Sequence, residues 1–546
     1  MNFRYSKYHL QGREQFLQRA LEILPGAISW SILLGMLILS FWKPILAAAI
    51  VIAFDLYWIL RIFYMTLFLL LASLQLSLER TTDWLARVRA VDHPDRALQD
   101  LERAMVQTPL VRRIPLLLHR QALRQLARHP HPPPRSEEIF HLIILPMANE
   151  GREIVEPGLR SLAQQTFPSH QILIVLAVEA RADLAIQRAA EELQRAYRGR
   201  FLDCLITRHP DGLPGEARVK GANATYAARE AARYFEARAI PFDHVIASCF
   251  DADTVVSREY VACLTYHYLI APDRTRASFQ PIPVYHNNIW EVPAFARVLD
   301  IGSSFMQLVE ATNPEKLVTF SSHSMGFHAL VDVGYWPVDM ISDDSAIFWK
   351  AFLHYDGRYR VIPMYITLSM DIAAAGSWWR TALNVYRQKR RWAWGVENFP
   401  IVMRGFLRAK RISLSTKVRH TVKMLEGHVT WATGAFLVSV LGWLPAIVAG
   451  REFSGSVLYY SGPRIQAIIF QLASLSLVTT ILLSLSLLPK QTTRRSLRAS
   501  ISHAIEWLFV PLIFICFSAL PALDAQTRLL LGKRMEFWVT EKRRRQ

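Results

Sequence analysis

Cysteine is scarce in this sequence: there are 4 among 546 residues, and they lie far apart. They lack the spacing of zinc ligands and the density of a disulfide-stabilised secreted domain, so they predict free thiols in a reducing compartment. Motifs of DNA- and RNA-binding proteins are also missing, which argues against nucleic acid as a partner. No internal repeat of apolar segments appears, and together with a long polar insert this argues against a transporter.

Acidic residues are outnumbered, with 45 Asp and Glu against 63 Lys and Arg, which gives a formal net charge of +18. Such an excess is typical of proteins that bind nucleic acid, an anionic membrane surface or anionic substrates. Here the basic residues flank apolar stretches, and 52% of the chain is hydrophobic. The charge therefore indicates a lipid bilayer as a partner.

Long apolar runs predict several membrane spans of about 20 residues each. The run from residue 23 to 76 is too long for a removable signal peptide. It suits two spans, near 24–42 and 45–70, and further candidates lie near 428–449, 465–488 and 503–522. Basic termini predict a multi-pass protein of the cell (inner, cytoplasmic) membrane whose central domain and both ends are cytoplasmic. Five spans would place the C-terminus outside, so either the last stretch is a hairpin or another segment does not cross.

Composition divides the chain into six parts. They are an N-terminal segment with two spans (1–78), a helical interfacial region ending in a proline-rich linker (79–135), an α/β domain (136–400), an interfacial amphipathic helix (401–425), C-terminal spans (426–525) and a basic cytoplasmic tail (526–546).

Apolar strand-like runs alternate with helix-like segments inside the α/β domain. The runs lie at 141–146, 171–178 and 201–207, and a fourth ends at Asp251. This alternation predicts a mainly parallel, Rossmann-like sheet with helices on both faces. Asp251 and Asp253 follow the fourth strand, at the edge where such sheets bind ligands. Two carboxylates there suit a hard cation, Mg²⁺ or Mn²⁺, that keeps open positions for phosphates.

Six motifs in order resemble those of the membrane-embedded family 2 glycosyltransferases of processive type, the group that contains cellulose and hyaluronan synthases. The resemblance covers roughly 142–400 and the flanking spans. The motifs are Pro146, Asn149 and Glu150 after the first strand, the helix-like stretch 158–168, the segment from Lys220 to Asn223, Asp251 with Asp253, the run from Ser342 to Asp344, and Gln388, Arg391 and Trp392.

This resemblance implies a GT-A-like domain inserted between membrane helices and a role for each motif. Asp251 and Asp253 would hold the metal, and Asp344, with Asp343 beside it, would accept the proton of the acceptor hydroxyl. Donor-binding residues would be Pro146, Asn149, Glu150, Glu179, Lys220 and Asp251, and acceptor or diphosphate contacts would come from Gln388, Arg391, Trp392 and His323.

Plainer interpretations of the same residues stay open. Lys220 could be a solvated lysine, and Ser342 with the following aspartates could simply cap a helix. The basic run ending at Arg391 could lie on anionic lipid. His323 could be a hydrogen-bonded core residue.

The resulting prediction is an inverting, metal-dependent glycosyltransferase. It would transfer a sugar from a nucleotide-diphosphate sugar donor to a growing polysaccharide, which then passes through the membrane helices. One alternative is transfer of a single sugar to a lipid-phosphate or membrane lipid acceptor. Another is a non-catalytic, nucleotide-binding membrane scaffold. The sequence leaves accessory subunits and a homo-oligomer open.

Overall fold

A computed structural model describes residues 3–8, 10–128, 132–448, 509–535, 538 and 540–542, with a few positions between 468 and 483. The apolar stretch predicted over 465–488 lies mainly outside the described residues. The first part of the stretch predicted over 503–522 lies outside them as well.

Eight strands form one mixed sheet in the order β3-β2-β1-β4-β7-β6-β8-β5. The strands are β1 (Phe140–Met147), β2 (Ile172–Glu179), β3 (Asp203–His209), β4 (Val245–Cys249), β5 (Val255–Val256), β6 (Ala277–Val284), β7 (Ser324–Gly326) and β8 (Arg360–Ser369). Neighbours among β1–β4 pair in parallel, as does β6 with β8, whereas β7 is antiparallel to β4 and β6. The predicted mainly parallel α/β sheet is confirmed.

The main helices of the described chain precede, cover and follow the sheet. They are α1 (Arg13–Trp42), α2 (Pro44–Glu79), α3 (Trp84–Asp92), α4 (Pro94–Gln107), α5 (Arg113–Ala127), α6 (Arg152–Ala163), α7 (Leu184–Ala196), α8 (Lys220–Glu236), α9 (Tyr260–Ile270), α10 (Ala294–Ala311), α11 (Phe327–Asp332), α12 (Asp343–His354), α13 (Trp378–Ala393), α14 (Asn398–Arg408), α15 (Leu414–Val448) and α16 (Val510–Leu530).

Helices cover both faces of the sheet because its central strands are apolar on both sides. In β1, Ile143 and Leu145 join one buried cluster, whereas Leu142 and Ile144 join another. Successive side chains of a strand point to opposite faces, so a continuous apolar run supplies both cores. The carboxyl ends of β1, β2 and β4 consequently lie at one edge of a rigid sheet.

Four helices of the described chain are long and apolar enough to cross a membrane: α1, α2, α15 and α16. They support a membrane protein, and two of them precede the sheet as predicted. Pro44 separates α1 from α2, because proline lacks the N–H that would continue α1 and is well tolerated in the first turn of α2.

The range 401–425, predicted as one interfacial helix, contains the end of α14 and the start of α15. Apolar side chains of α14, including Ile401 and Phe406, are buried in the core of the α/β domain. Ser413 accepts a hydrogen bond from the Thr416 amide and so caps the start of α15. The range is thus divided between two helices, and this packing accounts for the break between them.

Candidate active site

Asp251 lies two residues beyond the end of β4, at the sheet edge where β1 and β2 also end. Its Oδ1 accepts from Lys220 Nζ at 2.7 Å, and its Oδ2 accepts from Ser321 Oγ at 2.6 Å. Burial raises the pKa of Asp251, but the ammonium groups of Lys220 and Lys542 outweigh this and hold it below its ordinary value. Asp251 is therefore an anion that two cations approach.

Lys220, the first residue of α8, joins two distant carboxylates. Its Nζ lies 2.7 Å from Asp251 Oδ1 and 3.2 Å from Asp344 Oδ1. A Cβ at the next residue, Gly221, would meet Pro337 O at 2.4 Å, so only glycine lets α8 approach the loop before α12 so closely. The structure thus brings together three residues that the sequence analysis selected separately.

Asp253 is fully buried, and its carboxylate has contacts on both oxygens. Oδ2 accepts from the Asp371 amide at 2.6 Å, and Oδ1 lies 2.6 Å from Lys542 Nζ. The sequence analysis placed residue 542 in a cytoplasmic tail and gave it no role. No local signal marks it, because the basic residues that follow Glu541 look alike in sequence.

The segment that carries Lys542 is attached to α13 and the strand-end region. The Glu541 carbonyl accepts from Asn384 Nδ2 at 2.9 Å and from the Ala374 amide at 3.3 Å. Trp538, earlier in the same segment, also contacts α13: the Arg387 guanidinium lies 5.4 Å from the centroid of its ring. These contacts place the described end of the chain beside Asp253.

Asp343 and Asp344 begin α12 but have different environments. Asp344 remains partly exposed and faces Lys220, whereas Asp343 is buried. Burial, reinforced by the negative charge of Asp344, raises the pKa of Asp343 to about 8 despite the opposing effects of Lys220 and Arg391. Asp344 is thus the carboxylate accessible to a substrate, and Asp343 is the one held neutral near pH 7.

The start of α12 is held by Glu397 rather than by a Ser342 side-chain cap. Glu397 Oε1 accepts from the amides of Ile341 and Ser342 at 3.2 and 3.3 Å, and from Ser342 Oγ at 2.9 Å. Ser342 occupies the N-cap position, as its sequence suggests, but makes no side-chain cap bond. Glu397 could not be selected from the sequence, because it lies far from Ser342 along the chain and no motif marks this contact.

Gln388, Arg391 and Trp392 lie near the end of α13. Gln388 is buried, and Arg391 is close enough for its charge to lower the pKa of Asp343. The Trp392 ring packs edge-on against Phe320 with centroids 5.7 Å apart. Arg391 thus lies near Asp343 at the start of α12, whereas Trp392 lies beside Phe320 and is partly accessible.

His323 is fully buried and bonded to its own loop. Its Nδ1 donates to the Phe320 carbonyl at 3.0 Å, and its own carbonyl accepts from the Cys249 amide at 3.3 Å. Burial lowers its pKa, although the charge of Asp344 opposes this shift. These contacts describe a neutral histidine that shapes the strand edge behind Asp251.

A cavity of about 700 Å³ lies between the ends of β1 and β2 and the segment that leads into α8, where Val219 on its wall directly precedes Lys220. Asn149 and Glu179, which were selected from the sequence as donor-binding residues, line it. Pro146 instead lies within β1 opposite Ala177, and Glu150 turns back to accept from the amides of Ala148 and Asn149. Those two residues therefore shape the turn and do not line the cavity.

Residues from both ends of the chain complete the cavity wall, and the sequence analysis selected none of them. They are Lys7, Tyr8, Arg534 and Met535. The guanidinium of Arg534 lies 5.2 Å from the ring centroid of Tyr8, so the two terminal segments also contact each other.

Residues 248–518, just under half of the chain, match the family model described as glycosyl transferase family group 2. The matched range includes Asp251, Asp253, Asp344 and the motif on α13. No curated protein sequence matches the chain.

Two solved structures are similar to this chain at low identity. The mannosyltransferase PcManGT from Pyrobaculum calidifontis, in complex with GDP-Man and Mn²⁺, is 15% identical over 71% of this chain and 99% of its own, with a TM-score of 0.38. TarS 1–349 from S. aureus, in complex with UDP-GlcNAc, is 13% identical over 55% of this chain and 76% of its own, with a TM-score of 0.35. Over residues 248–518 the chain is therefore similar to the glycosyl transferases of family group 2.

Proposed function

We propose that this protein is an inverting glycosyltransferase of the cytoplasmic membrane that extends a polysaccharide from a nucleotide-diphosphate sugar. One observation carries the proposal: Lys220 joins Asp251 to Asp344 at the edge of the sheet, and Val219, the residue before Lys220, lines a cavity of about 700 Å³. A cation, a strand-end carboxylate and a second, accessible carboxylate are the groups that such a transfer needs.

In the proposed reaction, Asp344 accepts the proton of the acceptor hydroxyl. The hydroxyl oxygen forms a bond to the anomeric carbon while the bond from that carbon to the diphosphate breaks. The diphosphate leaves with the bonding electrons, and the sugar inverts. Lys220, whose pKa is raised by Asp251 and Asp344 although burial opposes this, stays charged and faces the departing diphosphate.

Asp251 and Asp253 fit a divalent cation because both present carboxylate oxygens, and an ammonium group already lies against Asp253 Oδ1. Among the described residues, these two carboxylates included, no cluster of three or more His, Cys, Asp or Glu forms a ready metal site. Mg²⁺ or Mn²⁺ held here would stabilise the charge that develops on the diphosphate. The remaining ligands would then be donor phosphates and water.

Asn149 and Glu179 on the cavity wall are the proposed contacts to the nucleotide. Gln388, Arg391 and Trp392 are the proposed contacts to the acceptor and diphosphate, because arginine recognises phosphate and tryptophan offers a flat apolar face to a sugar ring.

One contact of α13 supports passage of the product toward the membrane helices. Arg390 Nη1, on α13, donates to Asp524 Oδ2 on α16 at 2.8 Å, which connects the proposed acceptor site to an apolar helix. We also propose that both termini share the side of the α/β domain, because Lys7 and Lys542 each contact that domain. The chain would then cross the membrane an even number of times after the domain.

Purified protein in lipid nanodiscs, incubated with Mn²⁺ and a panel of radiolabelled nucleotide sugars, tests the proposal. We expect one donor to yield long chains, and we expect Asp344→Asn to yield none. A single labelled sugar on lipid would instead support the lipid acceptor. Binding without turnover of any donor would support the non-catalytic scaffold.

A further inference from the structure

Residues 3–8 lie against the α/β domain before α1 begins. Arg404 Nη2 donates to the Ser6 carbonyl at 2.7 Å, and Ser6 Oγ donates to Asp339 Oδ2 at 2.6 Å. Arg404 is itself buried, so the segment is fixed at a well-packed surface. Its two neighbouring side chains, Tyr5 and Lys7, then reach the residues that support α12.

Lys7 is the cation opposite Glu397. Lys7 Nζ donates to Glu397 Oε2 at 2.9 Å, and the two side chains are only 15% and 2% exposed. The other Glu397 oxygen holds the amides and hydroxyl at the start of α12. A buried carboxylate is stable only while it is paired and hydrogen-bonded, so Lys7 maintains the charge that orients this turn.

Tyr5 reaches the same turn through a second residue. Its hydroxyl donates to Asn398 Oδ1 at 2.6 Å, and both groups are buried. Asn398 Nδ2 in turn donates to Ser342 Oγ at 3.0 Å and to Ser345 Oγ at 3.1 Å. Two neighbouring contacts thus connect the amino-terminal segment to the residues on either side of Asp343 and Asp344.

We infer that residues 3–8 form a positioning element of the active site, in which Lys7 and Tyr5 act through Glu397 and Asn398 to hold Asp344 against Lys220. This inference rests on the proposed function, because Asp344 is the proposed base. The carboxylate must lie within hydrogen-bonding reach of the acceptor hydroxyl, and displacements of about 1 Å in such a site can lower a rate by about 10²-fold. The amino-terminal segment is therefore needed for turnover although none of its residues reacts.

Lys7→Met in the full-length protein is the main test, with Lys7→Arg as the conservative variant. Lys410→Met, at an exposed lysine between α14 and α15, is the matched control. We expect Lys7→Met to lower kcat by about 10²-fold with the donor KM within about twofold of wild type. Lys7→Arg should recover most of that loss, and Lys410→Met should match wild type. A raised KM with unchanged kcat would overturn the inference, since it would make Lys7 a donor contact.

A second pair of variants separates positioning from general destabilisation. Tyr5→Phe removes one hydroxyl, leaves Asn398 Oδ1 without this donor and should lower kcat by about threefold to tenfold at temperatures well below the thermal midpoint. Glu397→Gln placed on Lys7→Met should recover about tenfold in kcat, because it removes the unpaired buried charge while keeping an acceptor oxygen for Ser342. Equal activity of Lys7→Met with and without Glu397→Gln would contradict the proposed route through Glu397.

Hydrogen exchange provides a measure that does not depend on activity. The amides of Ile341 and Ser342 donate to Glu397, so a peptide spanning 340–346 should exchange about tenfold faster in Lys7→Met than in Lys410→Met. Unchanged exchange would overturn the inference even if wild-type protein transfers sugar. Faster exchange in a protein that turns over no nucleotide sugar would overturn the proposed function while leaving the contact intact.

Discussion

Lys542 Nζ lies 2.6 Å from Asp253 Oδ1, so a residue near the end of the chain occupies the carboxylate proposed to hold a cation. Burial lowers the pKa of Lys542, but Asp253 and then Asp251 raise it above its ordinary value, which keeps the group charged. An ammonium group and a divalent cation that share one carboxylate oxygen each bind it more weakly than either would alone. Substrate-free protein should therefore bind metal against this internal competitor.

Lys542→Met should strengthen Mn²⁺ binding in the absence of donor. Removing one ion pair from a carboxylate that is otherwise buried should change the dissociation constant by about tenfold, equivalent to about 1.4 kcal/mol. Electron paramagnetic resonance titration of free Mn²⁺ measures this, with Lys410→Met as the control. Equal Mn²⁺ affinities in the two variants would mean that Lys542 moves away from Asp253 at no measurable cost in free energy.

Asp253→Asn should have the opposite effect on the metal and abolish sugar transfer. The amide removes one of two anionic ligands and leaves Lys542 beside a neutral group, so Mn²⁺ affinity should fall at least about tenfold. Asp95→Asn, at an exposed position near the start of α4, is the matched control for the amide substitution. Normal turnover by Asp253→Asn would refute its assignment as a metal ligand.

Asp344→Asn should keep donor binding and lose transfer. Asparagine can still accept a hydrogen bond from Lys220 but cannot take up a proton, so the rate should fall by about 10²- to 10⁴-fold. Calorimetric titration with the donor, beside the rate measurement, separates the two effects. Matching losses of binding and rate would instead indicate that Asp344 organises the site.

Asp343 should make stability decrease as the pH rises. Its folded pKa of about 8 is above the ordinary value of 3.8, so below about pH 4 the carboxyl is neutral in both the folded and the unfolded chain. Between these values the unfolded chain loses the proton and the folded one keeps it, which favours unfolding progressively until about pH 8. The thermal midpoint of wild type, measured without metal, should therefore fall relative to Asp343→Asn between pH 5 and 8.

Asp273→Asn, at an exposed aspartate after α9, should follow the wild-type pH dependence. Parallel curves for wild type and Asp343→Asn would contradict the raised pKa of Asp343.

The order of strands and helices could be predicted because it depends on local patterns. The apolar runs that became β1, β2 and β4 are each buried on both faces, and the helix-like segments that alternate with the strand-like runs became α6, α7 and α8. The position of the proposed site could be predicted for the same reason. Parallel strands bring their carboxyl ends to one edge of the sheet, and Asp251 follows such a strand.

The contacts of other residues could not be predicted from the sequence, because they depend on packing. Asn149 lines the cavity, whereas its neighbour Glu150 bonds to its own turn. Ser342 is a residue type that often caps helices, yet Glu397 supplies the acceptor oxygen at the start of α12. A short motif cannot distinguish these outcomes, since each depends on what lies across the turn in space.

The sequence by itself determined the alternating α/β core, the apolar helices around it and the carboxylates at the strand ends, because periodicity and strand polarity are properties of neighbouring residues. Only the tertiary structure decided that Lys7 meets Glu397 and that Lys542 meets Asp253. Both lysines lie in short polar segments whose course is set by where α1 and α16 pack. Contacts between such distant parts of a chain have no local signature, because they exist only once the helices have brought the two ends back to the sheet.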